Sequence, residues 1–253
     1  MTASARAEAA ARFLIAKRVP GAALPATLPE DLRPRSVAEV IAVQLATIAA
    51  LGPVGGWKVG AADPSAIPSA SPLPATGIKL APAIVESRKR AVEAEISFRF
   101  GAALPPRDRP YERAEVLGAI DFCQAAIEVV DPRFESHLGL DPLVILADLG
   151  MHGGLVVGRP VASWDPAMFD ALTVELVVDG ATRRREKGSN PGGTDLARLL
   201  VWLANSDVAR AFGGLAAGST VTTGSWTGLE TVPPGGTAIA RFAGFPEVEL
   251  RFA

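Results

Sequence analysis

The amino-acid sequence predicts an α+β protein, and three observations carry that prediction. Up to Gly52, apolar residues recur at helical spacing in two segments. From Pro53 onward, short apolar runs are separated by glycine and proline, the pattern of a mixed sheet or barrel. Helical and extended segments do not alternate in the regular way a doubly wound α/β sheet demands. A chain of 253 residues is long enough for one well-buried core. A helical segment over 1–52 and a mixed-sheet domain over 53–253 are therefore expected to form one compact unit.

Each element has its own signal. Residues 4–18 carry apolar side chains at helical spacing and stop before Pro20, after which Gly21, Pro25 and Pro29 mark an irregular connection. Ser36 caps a second helix that runs to Gly52, with Glu39 at the capping-box position. GGWKVG at 55–60 reads as a strand, the proline- and serine-rich stretch 63–76 as a loop, and GIKL, AIVES and VEAEISFRF as further strands. A helix from Tyr111 to about Asp121 precedes an apolar strand through AAIEVVD at 125–131. One or two helical turns over 141–148 lead into the buried strand GGLVVG at 153–158. Asp179-Gly180 suits the tight turn of a hairpin across 172–188. Thr194 or Asp195 caps one helix over 196–212, ended by Gly213-Gly214. STVTTGS, TAIARF and VELRF close the chain as strands.

Bulk properties narrow the function. A net charge of -2 leaves no electrostatic footprint for nucleic acid or an anionic membrane. No apolar stretch reaches the length of a membrane span, and the lone Cys123 has no internal disulfide partner. The alanine- and arginine-rich start contains Glu8 and keeps helical spacing, which favours an ordinary amphipathic helix over a targeting peptide. A cytoplasmic protein acting on a small molecule is expected.

Carboxylates supply the first chemical signal. In VEAEISF, Glu93 and Glu95 project from one face of a strand with Cα atoms roughly 7 Å apart, so one cation could bridge them. From that segment alone, a solvated edge strand with two acids is the better reading. Glu128 sits inside the apolar run AAIEVVD, where a carboxylate is costly unless paired or coordinated. If its strand neighbours 92–98, three oxygen ligands gather for a hard divalent ion; the alternative is a pair with Arg133. Lys58, in GGWKVG, could donate to a metal-bound oxyanion or move a proton, or could snorkel from an edge strand. His137 and His152 have no second histidine or cysteine at ligand spacing, which disfavours zinc. Thr222 to Ser225 form a polar turn that could present hydroxyls and N–H groups to a carboxylate. GSNPGGTD lacks the lysine and spacing of a phosphate loop, and GSWTG has tryptophan where a nucleophile elbow needs serine.

Taken in order, Gln44, GWKVG, VEAEISF, AAIEVVD, ADLGMHGGLVVG, VWLAN and LAAGSTVTTGSWTG cover most of the chain. In that order they resemble the 2-keto-4-pentenoate hydratase family of the fumarylacetoacetate hydrolase superfamily. The resemblance implies a mixed β-roll with peripheral helices and a homo-oligomer. It also implies a Mg²⁺ or Mn²⁺ ion on Glu93, Glu95 and Glu128, with Lys58 in the active site and Asp148, Thr223 and Ser225 toward substrate. The implied reaction is hydration of a 2-hydroxypentadienoate-like acid, with oxalocrotonate decarboxylation, acylpyruvate hydrolysis or a non-catalytic binding role as alternatives. Family hydratases carry an acidic pair after the lysine segment, where this chain has Leu80, Ala81 and Pro82. They also carry asparagine and serines where this chain has Leu149, Gly150, Met151 and His152. His152 is accordingly assigned a proton-transfer role.

Overall fold

A computed structural model describes residues 2–253. Two helices open the chain, α1 (Ala3–Ala16) and α2 (Val37–Leu51). Thr2 caps the first through Ala5 N–H, and Ser36 caps the second through Glu39 N–H. The Glu39 carboxylate does not complete the expected box, because it accepts from Arg35 N–H and pairs with Arg6 of α1 instead. The ion pair thus ties the two helices together.

Thirteen strands follow among the described residues: β1 (Val54–Gly60), β2 (Ser69–Pro74), β3 (Ile78–Leu80), β4 (Ala83–Val85), β5 (Ala91–Phe100), β6 (Ile120–Val130), β7 (His152–Val157), β8 (Thr173–Val178), β9 (Ala181–Lys187), β10 (Thr220–Ser225), β11 (Glu230–Thr231), β12 (Thr237–Phe242) and β13 (Val248–Phe252). Four short helices lie between them: α3 (Arg113–Gly118), α4 (Pro142–Ala147), α5 (Leu196–Ala204) and α6 (Asp207–Ala211). The larger sheet has the order β2-β1-β10-β5-β6-β7-β3, with β11 added to β5, and the smaller has the order β4-β13-β12-β8-β9. Both mix parallel and antiparallel pairs, so the architecture is the α+β one the sequence predicts. Apolar faces of the two sheets meet in one large core that includes Phe98, Phe100, Ile127, Val174, Leu176 and Phe252. A second core joins α1 and α2 to α4 through Leu14, Val43, Phe134 and Val144.

Two elements differ from the sequence reading. The stretch read as a loop over 63–76 contains β2, whose prolines Pro72 and Pro74 are tolerated because β2 is an edge strand. The single helix expected over 196–212 is broken at Asn205-Ser206, where Ser206 Oγ takes the Ala209 N–H and starts α6. The predicted hairpin forms as read, with Asp179 and Gly180 both at positive φ. Gly56 explains its own presence: a Cβ there would lie 2.2 Å from Thr220 O on parallel β10. That close approach lets β1, and with it Lys58, pair with β10 inside the larger sheet.

Candidate metal and acid-base site

Sheet register assembles the site. Glu93 of β5 stands opposite Glu128 of β6, and Glu95 follows two residues along the same face of β5. One carboxylate oxygen from each of the three lies within 4.8 Å of the others. Lys58 arrives from β1, across β10, where it is in register with Thr222. Its Nζ donates to Glu128 Oε1 at 2.7 Å and to Gly150 O at 2.9 Å. These groups line a cleft of about 290 Å³ whose opposite wall includes Ile145, Leu146 and Met151.

The carboxylates are held differently. Glu95 Oε2 accepts from Gly224 N–H at 3.1 Å and from the Thr222 hydroxyl. Glu128 Oε2 is buried and meets no donor. With all groups ionised, three carboxylates against one ammonium leave a surplus of two negative charges. Burial pushes the Glu93 and Glu95 carboxyls up, the Glu128 charge adds to it, and Glu95 stands well above the usual carboxylate range. Burial opposes the charge of Glu128 too, but Lys58 and His152 outweigh it and hold that carboxyl down at about 2. Lys58 is likewise penalised by burial, yet Glu128, Glu95 and Glu93 keep its amine above the ordinary lysine range. Hard oxygen donors, an orphaned buried oxygen and surplus negative charge are what a divalent cation of the Mg²⁺ or Mn²⁺ type requires.

The turn after α4 positions Lys58. Leu149, Gly150 and Met151 all adopt positive φ, at 52°, 61° and 65°, a conformation that costs non-glycine residues of order 1 kcal/mol or more each. Arg133 clamps the turn: its Nε and backbone N–H donate to the Asp148 carboxylate at 2.6 and 3.0 Å, and its Nη1 donates to His152 O at 2.9 Å. Gly150 is constrained twice, since a Cβ there would meet Lys58 Cδ at 3.1 Å. Gly150→Ala is expected to lower turnover about tenfold with little change in fold, because a small displacement of a reacting group carries a cost of that order or more. Steady-state kinetics beside a circular dichroism melt would check it.

The structure sets several of the sequence-predicted residues apart from the cleft. Arg133 pairs with Asp148 rather than Glu128, so the local partner proposed for Glu128 is already engaged. Asp148 is buried, bound by Arg133, and does not line the cleft. Thr223 lies in the irregular stretch of β10 and does not line the cleft; its hydroxyl donates to Ile96 O. Its neighbour Thr222 instead donates its hydroxyl to Glu95, and both threonines are buried. His152 is buried behind Glu128, its Nδ1 3.5 Å from Glu128 Oε1, and does not line the cleft. Burial pushes its imidazole below the ordinary histidine range despite Glu128. Ser225 does line the cleft beside Glu93.

Gln44 carries part of the resemblance, but sequence reasoning assigned it no role. Gln44, buried on α2, donates to Ser71 Oγ at 3.1 Å and to Leu146 O at 2.9 Å, fixing β2 and α4 around the cleft. A buried glutamine within an apolar helix was the available signal. A second chamber of about 460 Å³, lined by Ile41, Trp202 and Val208, shares Ser69, Ala70 and Leu146 with the cleft.

Comparison with known proteins agrees with this architecture. No family model matches the chain. A solved 4-oxalocrotonate decarboxylase from Pseudomonas putida G7, complexed with magnesium and adipate, superposes with a TM-score of 0.80 over 98% of both chains, at 23% identity. Fumarylpyruvate hydrolase from Pseudomonas aeruginosa, in complex with Mn²⁺ and pyruvate, gives a TM-score of 0.55 at 16% identity, covering 78% of this chain and 88% of that one. A fumarylacetoacetate hydrolase family structure from Yersinia pestis shares the fold, with a TM-score of 0.54 at 15% identity, covering 80% of this chain and 93% of that one. In sequence, the chain is homologous to 4-oxalocrotonate decarboxylase of Pseudomonas sp. (strain CF600), with 28% identity over 161 residues, 64% of this chain. The match spans 59% of that relative's length. Among the described residues no helix is long and apolar enough to cross a membrane.

Proposed function

We propose that the chain is a divalent-metal-dependent lyase of small 2-oxo acids that releases CO₂ from a substrate of the oxalocrotonate type. The observation that carries this reading is the meeting of Glu93, Glu95 and Glu128 with the Lys58 amine in one cleft. The three carboxylates would hold Mg²⁺ or Mn²⁺ and leave other coordination positions for substrate and water. When bound there, the ion supplies a Lewis acid that takes up negative charge developing on a 2-oxo oxygen. Similarity to oxalocrotonate decarboxylase, and the ions and carboxylate ligands of the two structural neighbours, support the ion class and the kind of substrate.

The chain's own groups divide the remaining work. An ammonium has three donors; Glu128 and Gly150 O take two from Lys58, and the third remains for a substrate oxygen or for the proton the product takes up. Ile145, Leu146 and Met151 place an apolar wall against the cleft. Loss of CO₂ breaks a carbon-carbon bond and passes its electron pair along the conjugated chain to the 2-oxo oxygen, so charge leaves the departing carboxylate. A poorly solvated pocket favours that step. Hydration would instead need a water held firmly against this apolar wall. This apolar lining is why decarboxylation is preferred to the hydration expected from sequence.

Incubation with oxalocrotonate, 2-hydroxypentadienoate and an acylpyruvate, with and without Mg²⁺, tests the proposal by ultraviolet absorbance and CO₂ release. Mg²⁺-dependent CO₂ from the first substrate alone is expected; a hydrated product without CO₂ would replace decarboxylation by hydration. Metal linkage gives a second prediction. In the metal-free protein Glu93 and Glu95 hold protons more tightly than in the unfolded chain, so their contribution to stability falls as pH rises through their folded values. A metal ion displaces those protons, while Glu128, held at about 2, stays ionised throughout. The rise in Tm on adding Mg²⁺ is therefore expected to be larger near about pH 8 than near about pH 5.5. A Tm gain independent of pH would speak against these ligands.

A further inference from the structure

Outside the cleft, the most unusual electrostatics lie in a polar pocket of about 400 Å³ lined by Arg18, Arg88, Arg133, Asp131 and Glu86. Two of the three guanidiniums there have carboxylate neighbours. Arg133 is bound by Asp148, and Arg88 has Asp131 at 4.0 Å. Arg18 has no ion-pair partner within the described residues; its one hydrogen bond is a long 3.4 Å contact from Nη1 to His152 O. Its Nε and Nη2, and Arg88 Nη2, are sealed from bulk solvent without an acceptor. Burial together with Arg133 lowers the Arg18 guanidinium to about 9. A guanidinium does not shed its proton at neutral pH, so an unmet, buried N–H edge is paid for elsewhere unless an anion meets it.

We propose that this pocket is a binding site for a small oxyanion, a carboxylate or phosphate, received by Arg18 and Arg88. The planar N–H edge of arginine matches two oxygens of either group. On binding, rotation about the bonds of the Arg18 side chain would turn Nε and Nη2 toward the void. The site connects to the cleft through one peptide: Arg18 and Arg133 both donate to His152 O. The residues just before His152 are Met151 and Gly150, whose carbonyl holds Lys58. Anion occupancy would then change turnover with the affinity seen in binding. That consequence rests on the proposed reaction, whereas the binding does not and is read without turnover.

The test is a calorimetric titration of the Mg²⁺-loaded wild-type protein with inorganic phosphate and, separately, succinate, repeated on Arg18→Met, Arg88→Met and Lys58→Met. Binding is expected in the wild type and in Lys58→Met, weakened about tenfold or more in Arg18→Met and less in Arg88→Met. The tighter of the two probes identifies carboxylate or phosphate as the natural class. Arg18→Met should melt no lower than wild type in anion-free buffer, since it removes a buried unpaired charge. No binding of either anion would overturn the proposal, as would binding untouched by Arg18→Met or lost in Lys58→Met, which would place the anion in the cleft. Loss of oligomerisation in Arg18→Met, read by sedimentation, would also overturn it by giving Arg18 to a neighbouring subunit's carboxylate.

Discussion

Lys58→Met is expected to lower kcat by about 10²–10⁴-fold, the range attributable to a positioned proton donor. The same change should tighten Mg²⁺ binding. Lys58 lies 2.7 Å from Glu128 and is the only cation with its ammonium against the three carboxylates among the described residues. Removing it leaves their repulsion unrelieved, and a divalent ion then relieves more of it. Methionine preserves the length and apolar packing of the stem, so the fold should survive. Opposite signs for turnover and metal affinity are the signature to seek, with kinetics on oxalocrotonate and calorimetry on Mg²⁺ as the measurements. A variant that loses both together would mean that Lys58 supports the site's shape rather than the reaction.

Glu128→Gln carries the second large effect. Its carboxylate is buried and forms an ion pair with Lys58, whose side chain keeps some exposure. Breaking such a pair from one side costs about 3 kcal/mol, or a fall in Tm of about 6–12 °C for a protein of this size. Glu93 and Glu95 remain near Lys58 and place the cost toward the lower end. The Tm gain on adding Mg²⁺ should disappear, because the oxygen that awaits a cation is replaced by part of a neutral amide. The double variant with Lys58→Met is expected to recover much of the lost stability, since the stranded ammonium has gone; a double-mutant cycle by denaturant melts measures that recovery. Purely additive losses would show that the two residues are not coupled.

Much of this site was legible because its residues break local rules. Glu128 stands in an otherwise apolar run, and the glycines before Lys58 make a poor strand unless something passes close by, here Thr220 O. The spacing of Glu93 and Glu95 follows from the two-residue period of a strand. The reading failed where a side chain's direction depends on the register of a neighbouring element. Thr222 and Thr223 are identical in sequence terms, and only the pairing of β10 with β1 and β5 turns Thr222 toward Glu95. Asp148 and Arg133 are separated by 15 residues, and nothing in that spacing announces that they close on each other. The edge position of β2 is equally non-local, so its prolines read as a loop.

The order of residues along the chain was thus enough to determine the α+β class, the limits of most elements and which acids share a strand face, because those follow from local periodicity and turn chemistry. Tertiary structure alone decided that Lys58 meets Glu128, that Arg133 belongs to Asp148, and that His152 stands behind the acids. Each of these depends on the alignment of one strand against the next and on a left-handed turn, and such alignments are selected by the whole core at once rather than by any segment of it.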